Sequence, residues 1–177
     1  LLLPTAPEMP AAATGGTPPG VPEADAFVLR LSVAHGSLEH ARHPVLVGHY
    51  AGDSIAGPEA VIDRWLDGRL TRRHAMGLYP GAVGTADVLL APGSKPPGCL
   101  VVGLGEVGGI SPGLLTDGVA AAALRYALSV MERPAAGDEA LGWCSAAFCA
   151  LLVGSNTQTF TVQNSVAAIV GGALLAN

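Results

Sequence analysis

The sequence is poor in charge. Asp, Glu, Lys and Arg make up only 13% of its 177 residues, and the formal net charge is −5. There is no Lys/Arg cluster, so generic nucleic-acid binding through counterion release is not expected. No apolar run reaches the ~18 residues of a membrane helix. The opening "LLLPTAPEM" has no basic n-region, and its apolar part is too short for a signal peptide. Cysteine is scarce: Cys99, Cys144 and Cys149 are odd in number, and their spacings match no zinc or redox motif. All three sit among apolar residues and read as reduced core thiols of a cytoplasmic protein. G-x-S-x-G, H-E-x-x-H and the phosphate-loop G-K-[ST] are also absent.

What is present is apolar and rich in turns. Half of the residues are hydrophobic, with 24 Gly and 14 Pro. The length suffices for one domain with a real core. Residues 1–24 hold six prolines among Ala, Gly and Thr with no period. They read as a flexible linker, which leads us to expect a further domain upstream. Residues 25–177 read as one α/β domain. Phe27 to Val33 alternates and predicts a half-buried strand. "PVLVG" predicts a more central one. Pro58 opens a helix carrying Val61, Ile62, Trp65 and Leu66, and Gly68 suits its C-terminal cap. "TADVLLAP" and "GCLVVG" predict strands joined by the loop "PGSKPPG". Ser111 as N-cap and Pro112 at the first position open a helix to about Met131, with Leu115, Val119, Ala122 and Tyr126 on one stripe. "SAAFCALLVG" predicts a buried strand. The last stretch, "TVQNSVAAIVGGALLAN", predicts a helix whose core face is Val162, Val166, Ile169, Val170, Ala173 and Leu174. Its pattern runs to Asn177, so we expect the domain to continue. Strands alternating with helices define an α/β layer structure with a mixed sheet flanked by helices.

The candidate chemistry centres on "VVGLGEVGG", which contains G-x-G-x-x-G at Gly103, Gly105 and Gly108. A dinucleotide site also needs a helix directly after the loop and an acidic residue ~20 positions on. The helix starts late and the acidic anchor is missing. The amides from Gly103 to Gly109 could still hold an anion at a strand end. Glu106 would repel it, so a tight strand-to-helix turn is the preferred reading. His49 and Asp53 in "GHYAGDSI" sit just past a strand end, where α/β proteins bind ligands; Asp53 could equally cap the turn. His35 ends a strand in the manner of a caspase-like catalytic histidine, but none of the three cysteines has the exposed, electropositive setting of a nucleophile. His40 and His43, with His35 and His49 nearby, read as polar loop residues, since no third metal ligand is evident.

Four stretches carry a resemblance: "PVLVGHYAGDSIAGPEAVIDRWLDGRL", "GLYPGAVGTADVLLAP", "PPGCLVVGLGEVGGISPGLLTDGVAAAALRYAL" and "LLVGSNTQTFTVQNSVAAIVGGALLAN". Together they resemble a module that precedes the caspase-like CHAT protease domain in large bacterial multidomain proteins. "VVGLG" with its long helix and the late "LLVGS…V…SV" segment is similar to the macro-like N-terminal domain of leucine aminopeptidases. The resemblance covers roughly Val45 to Asn177. It implies a macro-like α/β fold, no metal or cofactor, and no catalytic residue in this segment. The partners it implies are neighbouring domains of the same polypeptide, which this domain would position or regulate. Macro domains bind ADP-ribose in a glycine-rich loop. The resemblance therefore also implies a candidate nucleotide-type site at Gly103, Gly105, Glu106, Gly108, Gly109, Gly154, Ser155 and Asn156, with His49 and Asp53. A peptidase-related enzyme fragment is the remaining alternative.

Overall fold

A computed structural model describes residues 29–132, 145–154 and 160–177. The chain divides into two units, Leu1–Leu31 and Ser32–Asn177. The sheet and all the helices below lie in the second. Cys144, Ser155 and Asn156 lie outside the described residues.

Four strands form one mixed sheet in the order β2-β3-β1-β4: β1 (Val45–His49), β2 (Ala86–Leu90), β3 (Gly98–Gly103) and β4 (Cys149–Ala150). β1 runs parallel to β3 and to β4, while β2 is antiparallel to β3. Helices α1 (Gly57–Trp65), α2 (Arg69–Ala75), α3 (Pro112–Met131) and α4 (Val162–Leu175) cover it. The α/β class with a mixed sheet is therefore established.

The alternation of β1 and β3 divides the core in two. Val45, Val47, Cys99 and Val101 point to one face and pack with Ile62, Leu66 and Leu70 of the α1–α2 region. Leu46, Leu100 and Val102 point to the other face and meet Leu115, Val119, Ala122 and Tyr126 of α3. Burying each such aliphatic side chain contributes about 1.5–3 kcal/mol. The α3 stripe is the one its sequence predicts. Ser111 caps that helix, its hydroxyl accepting from the Leu114 N–H at 3.3 Å. α3 is also the one helix among the described residues long and apolar enough to cross a membrane by length and composition. Here one face of it is committed to the sheet.

α1 ends in a tight reversal. Gly68 N–H donates to the Asp63 carbonyl at 2.9 Å, with Asp67 and Gly68 both left-handed (φ 54° and 70°). The helix that follows, α2, has no signal in the predicted pattern. It forms because the Asp63 carboxylate accepts from Leu70 N–H (2.7 Å), Thr71 N–H (3.3 Å) and the Thr71 hydroxyl, satisfying donors of its first turn. Leu70 then anchors it in the core.

Three sequence expectations are corrected. Of the strand expected over Phe27–Val33, the described residues Leu29–Val33 carry no strand, and Leu31 and Val33 are exposed; Phe27 and Val28 lie outside the described residues. The buried strand expected over Ser145–Gly154 is only the two-residue β4, held by β1 on one side at the sheet's edge. The core face of α4 is rotated: Ser165, Ala168 and Gly172 are buried, while Val162, Val166 and Leu174 are exposed. Close approach to α3 decides this. A Cβ at Gly172 would lie 2.6 Å from Val119 Cβ and 2.7 Å from the Thr116 carbonyl oxygen.

Candidate functional site

The chain leaves β1 towards the α1–α2 face and leaves β3 towards α3 on the other face. This places the topological switch, where open α/β sheets bind ligands, between the C-terminal ends of β1 and β3. His49 and Gly103 are register partners there.

The protein's own backbone fills that crevice. Leu104 N–H donates to the His49 carbonyl and Ala51 N–H to the Gly105 carbonyl, both at 2.8 Å. Gly105 N–H donates to Gly81 and Gly103 N–H to Thr85, also at 2.8 Å, and Gly109 N–H closes on Glu106 at 3.0 Å. Four amides of the glycine loop are thus engaged internally. Gly103 and Gly105 are small because residues 81–85 lie on them: a Cβ at Gly103 would strike the Ala82 carbonyl and the Thr85 hydroxyl, and one at Gly105 would come 2.7 Å from Val83 Cγ2. Gly105 also has φ 72°. Glu106, Gly108 and Gly109 are exposed beyond this contact. Gly154 follows β4 with φ 76°, and a Cβ there would meet the Phe160 ring at 3.2 Å.

His49 faces the other way, into a polar cluster the sequence does not announce. It is 3% exposed, and its Nδ1 lies 3.1 Å from both carboxylate oxygens of Glu59, from the first turn of α1. Facing a carboxylate, Nδ1 carries the proton and donates it. The Tyr79 hydroxyl donates to Glu59 Oε1 at 2.7 Å. The Tyr79 ring stands edge-on to His49, centroids 4.8 Å apart. His74 of α2 is 5.6 Å from His49, also edge-on, and its Nε2 lies 3.0 Å from the Asp53 carbonyl. Asp53 itself turns its carboxylate back to the Ser54 N–H at 2.8 Å, the turn-capping role open to it from sequence. Burial, reinforced by the Glu59 charge and hydrogen bond, holds the Tyr79 hydroxyl far above its ordinary range.

The fold brings His49 to the glycine loop only through backbone hydrogen bonds, and to Asp53 only through His74. Glu59, His74 and Tyr79 were missed in sequence because they come from three separate elements. The only available signal was a glutamate on the apolar side of α1, one turn before Ile62 and Asp63.

The remaining candidates stay apart. His35 lies in an exposed loop, and His40, also exposed, is 3.6 Å from the Glu39 carboxylate. His43 lines a cavity of about 130 Å³ at the opposite end of the strands, with Arg42, Leu90 and Tyr126. Among the described residues, no three His, Cys, Asp or Glu side chains converge as a metal site. Cys99 is fully buried in β3; burial first, then the Asp87, Glu59 and Asp63 charges, push its thiol up to about 12 against the opposing pull of Arg73. That is the reverse of an activated nucleophile. One oddity remains at the strand ends: the Tyr50 hydroxyl is buried without a hydrogen-bond partner.

No known family model matches the chain, and no curated protein sequence matches it.

Proposed function

We propose that this chain is a non-catalytic regulatory or scaffold domain of macro-like α/β fold. It acts in the cytoplasm by docking onto neighbouring domains of the same polypeptide, as the resemblance to the CHAT-preceding module implies. One observation carries this reading: the outer face of α3. Leu124, Leu128 and Met131 repeat at i, i+4 and i+7, opposite the core stripe, and are 49%, 48% and 65% exposed. A row of large aliphatic side chains on the solvent side of a core helix suits a partner surface. The His49–Glu59–Tyr79 cluster supports the same reading, since its hydrogen bonds tie β1, α1 and the segment after α2 to one another.

The test is binding in trans to the adjoining domain of the parent polypeptide. Replacing Leu124, Leu128 and Met131 together by Gln should weaken binding at least tenfold while leaving the melting temperature within about 2 °C, because exposed positions contribute little to folding. Unchanged binding by the triple variant would overturn the reading.

A second reading, a binder of an ADP-ribose or nucleotide-type ligand, is favoured by the Tyr50 hydroxyl. A buried donor without a partner just past the end of β1 is what a polar ligand or a bound water would satisfy.

A further inference from the structure

A cleft opens at the end of the sheet away from the glycine loop, where β1 and β3 begin and β2 ends. Its larger part has a volume of about 560 Å³ and is lined by residues 39–42, Ser94, Lys95 and Pro97. A smaller part of about 130 Å³, holding His43, Pro44, Leu90 and Tyr126, adjoins it, since Arg42 and Pro97 line both. Small-molecule sites have volumes of about 300–1,000 Å³.

The charge of the cleft runs against that of the chain. The sequence holds 14 acidic and 9 basic side chains, and Lys95 is its one lysine. Yet Arg42 and Lys95 line the cleft without an acidic partner: the ion pairs among the described residues are Glu39–His40, His49–Glu59 and Arg73–Asp87. The one acid of the lining, Glu39, has its carboxylate 3.6 Å from His40. Both walls are braced. On one, Ser94 N–H donates to the Ala91 carbonyl at 3.0 Å and Ala91 N–H to the Pro97 carbonyl at 2.9 Å, while the Ser94 hydroxyl lies 2.6 Å from the Pro96 carbonyl. On the other, His40 N–H donates to Ser37 and Ala41 N–H to Leu38, and Leu38 and Ala41 pack against the core. Two long cationic side chains thus stand on two fixed segments.

The same bonds select the ligand chemistry. The amides of His40, Ala41 and Ser94 are spent, and Pro44, Pro92 and Pro97 have none to offer. Phosphate sites draw on backbone N–H groups, whereas this lining offers chiefly side-chain donors. A guanidinium fork meets a carboxylate through two parallel hydrogen bonds, an ammonium pairs with a second carboxylate as a point charge, and each imidazole adds an N–H. We propose that this cleft binds a small dicarboxylate, one carboxylate on Arg42 and the other on Lys95, with the carbon chain between them against Pro97. The inference rests on neither reading of function above, since its residues belong to neither surface.

Titration of the whole chain with succinate at fixed ionic strength, followed through its backbone amide NMR signals, tests it. Both cations are exposed and therefore screened. The signals of residues 39–43 and 91–97 should shift and saturate with a Kd of about 1 mM. Arg42→Gln and Lys95→Gln should each weaken binding at least fivefold; both positions are exposed, so both variants should fold like the parent. Arg64→Gln, an exposed arginine of α1, should bind like the parent. Acetate, with one carboxylate, should bind at least tenfold more weakly than succinate. Shifts that stay linear in succinate, or that fall outside the cleft, overturn the inference. Unchanged affinity in either Arg42→Gln or Lys95→Gln does the same. Inorganic phosphate binding as tightly as succinate would overturn the assignment to a dicarboxylate.

Discussion

Both carboxylate oxygens of Glu59 lie 3.1 Å from Nδ1 of His49, across the boundary between the end of β1 and the start of α1. Glu59 also accepts from the Tyr79 hydroxyl, so one buried carboxylate holds three chain segments. Removing one partner of a buried charged cluster leaves the others unpaired, at about 3–5 kcal/mol. Glu59→Ala should lower unfolding free energy by about 3 kcal/mol, and Tyr79→Phe by about 1–2 kcal/mol, since it deletes a single hydrogen bond to a charged group. Urea denaturation of both variants checks the ratio. Equal losses would show that Glu59 acts through Tyr79 alone.

Tyr50→Phe removes a buried hydroxyl that has no partner. Its desolvation penalty disappears with it, so the variant should be as stable as the parent or more stable by up to about 1 kcal/mol. A clear loss of stability in ligand-free protein would mean that a bound water satisfies the group.

The glycine loop separates architecture from binding. Gly105→Val places a branched side chain at φ 72° against Val83, and should cost about 2–3 kcal/mol in chemical denaturation. Gly108→Ala faces open space at φ 85° and should cost about 1 kcal/mol. With ADP-ribose and nucleotides at millimolar concentration, the parent chain should show no thermal shift, because the amides of Gly103, Leu104, Gly105 and Gly109 are already paired. A ligand at 100 times its Kd would add about 2.7 kcal/mol, which such a screen detects.

Neighbouring glycines in α4 have opposite expected effects. Gly172→Ala drives a methyl into Val119 and the Thr116 carbonyl and should destabilise by about 1–3 kcal/mol. Gly171→Ala meets Thr116 Cγ2 at an ordinary 3.5 Å and should stabilise by about 0.5–1 kcal/mol through helix propensity. Thermal melts of the two variants should therefore move in opposite directions.

Stability at high pH should reflect Cys99. Its thiol stays protonated in the folded chain to about 12, against an ordinary value of 9.0. This contribution is intact below pH 9 and falls as pH rises towards 12, because only the unfolded chain ionises in that window. The slope is at most about 1.4 kcal/mol per pH unit. Cys99→Ala should cost about 1 kcal/mol at pH 7 from the lost packing and flatten the decline between pH 9 and 10. Above pH 10 the raised Tyr79 hydroxyl adds a second loss of the same sign. Urea midpoints at pH 8, 9, 10 and 11 measure both.

The sequence by itself determined the local pieces. A short apolar run made β1, and the alternating and continuous runs around "PGSKPPG" made β2 and β3. Ser111 and Pro112 fixed the start of α3, because capping and the proline dihedral act within a few residues. Its core stripe was legible because a single sheet covers it. Tertiary structure alone decided the rest. α4 shows its period in sequence but buries a different face, since packing against α3 rewards the smallest side chains rather than the most apolar. α2 depends on a carboxylate from the preceding helix, and the His49 cluster on residues up to 30 positions apart. The glycine loop could be read as a cradle or a turn. The carbonyls of Gly81, Thr85 and Glu106 engage its amides, and the first two reach it only once the chain has folded back onto β3.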